Sequence, residues 1–223
     1  MSDFATERPA LVIDASGSSV FVGLLQDQQW LANERVQAPA LEGLFIAVDQ
    51  VLADANSSLD QIQAYIYSEG PGSVLGLRLC SMAIETWSRL YPQSANRYAY
   101  NSLQLTARLI RIDQPDADNA LIVADWKKGA WNAVKIQGGS IGDTEVVDDD
   151  TLNNWSDALF HQPQRKGWQA PPTGATTVNY SPERLPEVIS STNLLRPTEG
   201  VELYNAGVNT FQKWTAERHR ANT

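Results

Sequence analysis

Two segments of the chain, separated by about half its length, follow the same plan. Residues 10–29 read ALVIDASGSSVFVGLLQDQQ, and residues 120–139 read ALIVADWKKGAWNAVKIQGG. In each segment an apolar stretch ends at an acid (Asp14 or Asp125), a polar turn with a glycine follows, and an apolar stretch returns. Such an internal repeat predicts two related domains, and coincidence is the alternative because strand–turn–strand units are common.

The polar stretch RIDQPDADN at 111–119 is the natural junction between the two halves. We therefore predict an N-terminal domain over residues 1–112 and a smaller, more divergent domain over residues 113–223. The pattern within the first half predicts a hairpin that turns around residues 27–29, a helix over 41–55, a strand near 61–68 and a helix over about 74–90. In the second half it predicts a strand followed by a helix capped near Asp150 or Thr151, a helix over 181–195, and a short strand and a tail from residue 200.

The charge balance restricts the partners of this protein. The formal net charge is −9 and the isoelectric point is near 4.7. A surface of this kind does not bind nucleic acid without a partner, since phosphate contacts require clustered Lys and Arg.

Cys80 is the single cysteine, so no intramolecular disulfide can form. With no signal-peptide core and no apolar run of membrane-spanning length, we expect a cytoplasmic protein with no membrane partner.

The stretch SEGPGSVLGLRL at 68–79 raises the question of a phosphate-binding loop. It lacks the lysine of a P-loop, and Leu75 stands where a dinucleotide fingerprint requires glycine. The residues favour a tight turn that opens a helix. We expect backbone angles unsuited to side chains at Gly70, Gly72 and Gly76.

The remaining polar residues predict neither a catalytic residue nor a metal site. His161 and His219 lie far apart in sequence, in polar surroundings, and no Cys/His cluster accompanies them. The acidic run 148–150 is typical of a helix cap and a solvated loop.

Taken together, these motifs resemble those of a known family. The residues Gly70-Pro71-Gly72-Ser73 and Gly76-Leu77-Arg78 are similar to the GPGSFTGLR-type loop of the TsaB family, which is also described as glycoprotease-like or YeaZ-like. The segments NSLQLTA at 101–107 and Asp125 with WKKGAWNA are similar to two further family segments. The likeness is dense over residues 10–135. Val74-Leu75 in place of Phe-Thr, and residues 37–40 in place of a His-Ser pair, mark a divergent member.

The resemblance implies an α/β fold of two actin-like (RNase H-like, ASKHA) domains, each a mixed sheet with flanking helices. It implies a non-catalytic subunit that binds a catalytic TsaD-like subunit, with a TsaE-like ATPase as a further partner. The complex makes threonylcarbamoyladenosine next to the anticodon of tRNA, so tRNA is contacted only through the complex. The resemblance implies no cofactor on the isolated chain, and leaves open ATP or ADP at the partner interface and a homodimer in isolation.

The resemblance also assigns site residues. The partner surface is expected on the two helices of the first domain, at Leu41, Leu44, Phe45, Val48, Leu75, Leu79 and Met82. The loop that sets the start of the second helix comprises Gly70, Pro71, Gly72, Ser73, Gly76 and Arg78. Three residues are expected near any bound nucleotide: Asp14, Ser16 and Asp125. A rival hypothesis is an active ATP-dependent kinase or ATPase of the actin-like group, with Asp14 as general base or magnesium ligand.

Overall fold

The computed structural model describes residues 9–92, 96–163, 170–189 and 193–205. The strands are β1 (Ala10–Asp14), β2 (Val20–Gln26), β3 (Gln29–Val36), β4 (Ala64–Gly70), β5 (Asn96–Asn101), β6 (Ala120–Lys127), β7 (Ala130–Gln137), β8 (Ser140–Asp148), β9 (Ala158–Gln162), β10 (Thr176–Thr177) and β11 (Arg196–Thr198). The helices are α1 (Ala40–Asp54), α2 (Val74–Leu90), α3 (Ser102–Asp113), α4 (Asp149–Asn153) and α5 (Pro186–Ile189).

The strands form two sheets that share a five-strand order, and the first sheet has one more strand, β11, at its edge. The first sheet runs β11-β5-β4-β1-β2-β3, and the second runs β10-β9-β6-β7-β8. In each sheet the first three strands in sequence pair antiparallel, and the next two add in parallel beside the first. The predicted internal repeat is therefore a repeat of topology. It confirms the expected fold class of two actin-like mixed sheets with flanking helices.

Local signals explain the first hairpin. Asp27 and Gln28 join β2 to β3 with φ angles of 48° and 62°. Two successive residues with positive φ form the turn whose twist matches that of antiparallel strands. Across the hairpin, Val22 of β2 pairs with Glu34 of β3. Val22 is buried and Glu34 is partly exposed. The predicted turn position is confirmed.

Two helices cover one face of the first sheet. The buried side of α1 contributes Leu44 and Val51, and the buried side of α2 contributes Ile84 and Trp87, to a core that includes Leu11 of β1. Ser73 precedes α2, and its hydroxyl accepts a hydrogen bond from the backbone N–H of Gly76 at 3.3 Å. This cap explains why the helix begins at Val74, as predicted.

Helix α3 lies between the two sheets. Leu105 and Leu109 pack on the first sheet with residues of α5, while Leu103 and Ala107 pack on the second sheet. The chain also returns to the first sheet near its end, because β11 pairs antiparallel with β5. The boundary at residues 112 and 113 stays a prediction.

The helix expected within residues 181–195 is interrupted. A short 3-10 turn at Pro182–Arg184 is followed by α5, which begins at Pro186. A proline has no N–H to continue a helix and restricts the residue before it, so the two pieces stay separate. Helix α4 is capped by Asp148, two residues before the first of the two predicted cap positions, Asp150 and Thr151. Residues 201–205 contain no strand, and the rest of the expected strand and tail lies outside the described residues.

The glycines of the 68–79 stretch are required for two different reasons. Gly70 has φ of 108°, as expected. The expectation of such angles at Gly72 and Gly76 is wrong, because their φ values lie outside the left-handed region. A Cβ on Gly72 would instead lie 2.6 Å from the Cβ of Ser16, and one on Gly76 would overlap the carbonyl group of Ala15. Close approach of two backbones excludes side chains there.

We predict that Gly76→Ala destabilises the protein, by about 1–3 kcal/mol, because the new methyl group meets backbone atoms of Ala15. In an open helix the same change is stabilising, so the sign of the effect is diagnostic. Urea denaturation of the variant measures the loss. Gly17→Ala is the control, because a Cβ there meets nothing within 4 Å. Equal stability of Gly76→Ala and the wild type would contradict the close contact.

Candidate functional site

The acid that ends β1 is buried and fully hydrogen-bonded. Asp14 is 2% exposed. Its Oδ1 accepts hydrogen bonds from the backbone N–H and the hydroxyl of Ser16, both at 2.7 Å. Its Oδ2 accepts one from the hydroxyl of Tyr100 at 2.5 Å and another from the hydroxyl of Tyr180. Tyr180 comes from the second half of the chain, so this cluster joins the two halves.

These contacts limit the chemical roles open to the Asp14 carboxylate. A general base or a magnesium ligand needs an accessible lone pair, and four donors already occupy the two oxygens of Asp14. Burial, followed by the charge of Asp14, raises the pKa of both Tyr100 and Tyr180 well above 10.0. Both hydroxyls therefore stay protonated and keep donating. The arrangement disfavours the catalytic role of Asp14 that the rival hypothesis requires.

The loop before α2 lies directly on the turn after Asp14. The backbone N–H of Ser73 donates to the carbonyl of Ser16 at 2.7 Å. The carbonyl of Pro71 accepts from the hydroxyl of Ser102 at 2.9 Å. Gly72 is the point of closest approach to Ser16. The structure thus places Ser16 beneath the loop, and Arg78 is exposed on the first turns of α2.

The equivalent acid of the second sheet has a different partner. Asp125, 3% exposed, ends the buried part of β6, and its Oδ1 lies 3.4 Å from Nε2 of His161 on β9. The Trp131 ring meets the His161 ring edge-on, with centroids 5.6 Å apart. The expectation that His161 lies in polar surroundings is wrong, because it is 2% exposed. Its place in the apolar segment ALFHQ was the available signal. His219 lies outside the described residues.

A pocket opens beside Asp125. Its volume is about 670 Å³, and it is formed by the β6–β7 turn, α4 and a proline-containing segment. The lining residues are Asp125, Trp126, Lys127, Lys128, Gly129, Trp131, Asp149, Leu152, Asn153, Ala170, Pro171, Pro172 and Thr173. Sequence reasoning identified Asp125 and missed the pocket, because α4 and the segment 170–173 reach it only through the fold.

The expected partner residues divide into surface and core. Leu41 is 68% exposed, Phe45 50%, Leu75 68% and Met82 67%. Leu79 is partly buried against the core of the first sheet. The prediction needs correction at two positions: Leu44 and Val48 are buried core residues. The apolar stripe of α1 is wide enough to include both faces, and spacing alone did not separate them.

The described ranges contain neither a metal-binding cluster nor a membrane-spanning helix. Within residues 9–92, 96–163, 170–189 and 193–205, no group of three or more His, Cys, Asp or Glu side chains is arranged to hold a metal ion. In the same ranges no helix combines the length and the apolar character needed to cross a membrane.

The two repeated sheets, each with a buried acid at or near the end of its first strand, define an actin-like fold. The same architecture occurs in YeaZ from Pseudomonas aeruginosa, with a TM-score of 0.55, 18% sequence identity, and coverage of 70% of this chain and 75% of that chain. A second structure, a protein described as similar to peptidase YeaZ from the same organism, gives a TM-score of 0.55 and 19% identity over the same shares. No protein-family model and no curated protein matches the sequence. The predicted likeness to TsaB and YeaZ proteins thus extends to the fold.

We predict that Tyr180→Phe destabilises the protein by about 1–3 kcal/mol, because it removes one of the donors to a buried carboxylate. Chemical denaturation measures the change. Tyr204→Phe is the control, since the structure shows no hydrogen bond from that hydroxyl to the described parts of the chain. A loss for Tyr204→Phe as large as that for Tyr180→Phe would contradict the assignment.

The same cluster predicts a dependence on alkaline pH. An unfolded tyrosine loses its proton near pH 10, whereas Tyr100 and Tyr180 retain theirs in the folded protein. The folded state then binds more protons than the unfolded state, so its stability falls as the pH rises above about 10. We expect the melting temperature of Tyr180→Phe to decline less between about pH 9 and pH 11 than that of the wild type. Parallel declines would show that this hydroxyl is not involved.

Proposed function

We propose that this chain is a non-catalytic scaffold subunit of the complex that makes threonylcarbamoyladenosine next to the anticodon of tRNA, and that it binds a TsaD-like catalytic subunit. The observation that carries the proposal is an exposed apolar surface on α1 and α2. We call it the helix-pair surface, and it consists of Leu41, Phe45, Ile46, Val74, Leu75 and Met82, each 50–68% exposed.

The helix-pair surface is unusual for a monomer. The two helices contact each other on one face of the first sheet, and the rings of Phe45 and Trp87 meet edge-on at 6.2 Å across them. Large apolar side chains that project from adjacent helices expose a patch that soluble proteins usually cover. Packing a partner helix into such a pair buries that surface and supplies the apolar centre of an interface.

The hydrogen bonds of Asp14 support a role without catalysis. The position that would serve chemistry in the rival kinase hypothesis is occupied by hydroxyls from Ser16, Tyr100 and Tyr180. The net charge of −9 further favours contact with tRNA through a partner rather than directly. A TsaE-like ATPase, and ATP or ADP at the partner interface, belong to this proposal, as does a cytoplasmic location.

Substitutions on the helix-pair surface test the proposal. We expect the wild-type chain and the same organism's TsaD-like subunit to co-elute as a one-to-one complex in light scattering on a sizing column. Leu75→Glu and Met82→Glu should each weaken the complex by about tenfold or more, because a charge would be buried at the interface. Both residues are already exposed, so folding should be unaffected.

Ile112→Glu is the matched control. Ile112 is 46% exposed on α3, which lies on the opposite face of the first sheet from α1 and α2. The control should bind the partner like the wild type. Equal weakening by Ile112→Glu would place the interface elsewhere. If folded wild-type chain gives no complex, with nucleotide tried, the scaffold proposal is wrong.

A further inference from the structure

The last described segment of the chain lies beside α2. The backbone N–H of Val201 donates to Oε1 of Glu85 at 3.0 Å, and the side chain of Val201 packs against the core beneath α1 and α2. The backbone N–H of Tyr204 donates to the carbonyl of Glu69 at 2.8 Å, directly before the loop that opens α2. The chain therefore leaves its last described position, Asn205, next to the start of α2.

The helix-pair surface is within reach of the residues that follow. Glu85, which accepts the hydrogen bond from Val201, comes three positions after Met82, so the two side chains are neighbours on the surface of α2. Helix α2 has 17 residues and is therefore about 25 Å long. The 206–223 segment would span about 27 Å as a helix, and more in an extended form. It is long enough to cover α2 from end to end.

The sequence of the 206–223 segment suits an apolar surface. It reads AGVNTFQKWTAERHRANT, and its three large apolar residues are Val208, Phe211 and Trp214. Residues at this spacing share one side of a helix. An apolar side within an otherwise polar segment is the pattern by which a peptide helix packs against exposed apolar side chains.

The charges of the two surfaces are complementary. The 206–223 segment contains three basic residues and one acidic residue, in a chain whose net charge is −9. Helix α1 has no basic residue, and its acids Glu42, Asp49 and Asp54 are exposed. None of these acids forms a salt bridge with the described parts of the chain. Arg78 and Arg89 are exposed on α2, so a basic segment is attracted to the α1 side of the surface.

We propose that the 206–223 segment packs on the helix-pair surface when the chain is alone. Its apolar residues would lie against the exposed apolar side chains of α1 and α2, and its basic residues would face the acids of α1. The segment would then cover the apolar patch that soluble proteins usually bury. Because a TsaD-like subunit would need the same surface, the segment also limits access of that partner, and this consequence rests on the proposed function.

Oxidation of Met82 reports whether the surface is covered. Met82 belongs to the helix-pair surface, and the sequence contains no other methionine except Met1. Hydrogen peroxide converts an accessible thioether to its sulfoxide, and mass spectrometry of the α2 peptide gives the rate on the full chain. We expect Trp214→Glu to raise this rate about fivefold, because the oxidant reaches a covered side chain only in the fraction of molecules that is open.

Matched variants assign the protection to this contact. Asn209→Glu adds the same charge on the opposite side of a helix, and it should leave the rate of Met82 oxidation unchanged. From the receiving side, Asp49→Lys should raise the rate about twofold through charge repulsion. Asp143→Lys is its control, because Asp143 is exposed on β8 of the second sheet. Circular dichroism confirms that each variant keeps the fold of the wild type.

Two results would overturn the proposal. One is a rate of Met82 oxidation that Trp214→Glu leaves unchanged, or that Asn209→Glu raises equally. The other is a wild-type rate that falls as the protein concentration rises, which would identify a second copy of the chain as the occupant.

The effect on the partner is measured separately. Trp214→Glu should bind the TsaD-like subunit about fivefold more tightly than the wild type, since the competing segment no longer covers the surface. If Trp214→Glu exposes Met82 without changing that affinity, the segment covers the surface and the partner does not use it. The oxidation test needs only the chain itself, so the two proposals fail separately.

Discussion

A buried carboxylate is stable in a protein only if its charge is met by hydrogen-bond donors. Asp14 meets this condition through Ser16 in the following turn, Tyr100 on β5 and Tyr180 in the second half of the chain. One side chain thereby links the end of β1, the end of β5 and the segment that leads into α5. The same hydrogen bonds that stabilise this region also occupy both carboxylate oxygens of Asp14. The junction between the two halves of the chain therefore has its physical origin in one buried carboxylate.

The parts of the fold that depend on local signals could be predicted from the sequence. Polar residues between two apolar runs predict the turn at Asp27 and Gln28. Glycine and serine residues before an apolar segment predict the start of α2. The repeated strand–turn–strand plan predicted two related domains, and the structure shows two sheets with a common strand order. Each of these features is encoded within about twenty residues, where spacing and turn chemistry are informative.

The site depended on contacts between distant residues, and spacing does not encode these. Tyr180 reaches Asp14 across 166 positions, and His161 reaches Asp125 across 36. On α1, Leu41 and Leu44 share a wide apolar stripe, yet one is exposed and the other is core. Spacing along a helix does not show which residues of such a stripe pack on the sheet and which face solvent. The steric reason for Gly72 and Gly76 likewise required the position of the β1–β2 turn.

The pairing of β11 with β5 bears on how the protein is made. Sheet edges with unpaired backbone groups recruit other strands. Among the described residues, the edge of β5 that faces away from β4 pairs with residues 196–198, nearly a hundred positions later in the chain. While the ribosome is still producing the second half, the first sheet carries an open edge beside its parallel strands. Completion of the first sheet is thus tied to synthesis of the last described strand. Until then, the nascent chain carries an unpaired strand edge of the kind that is prone to mispairing.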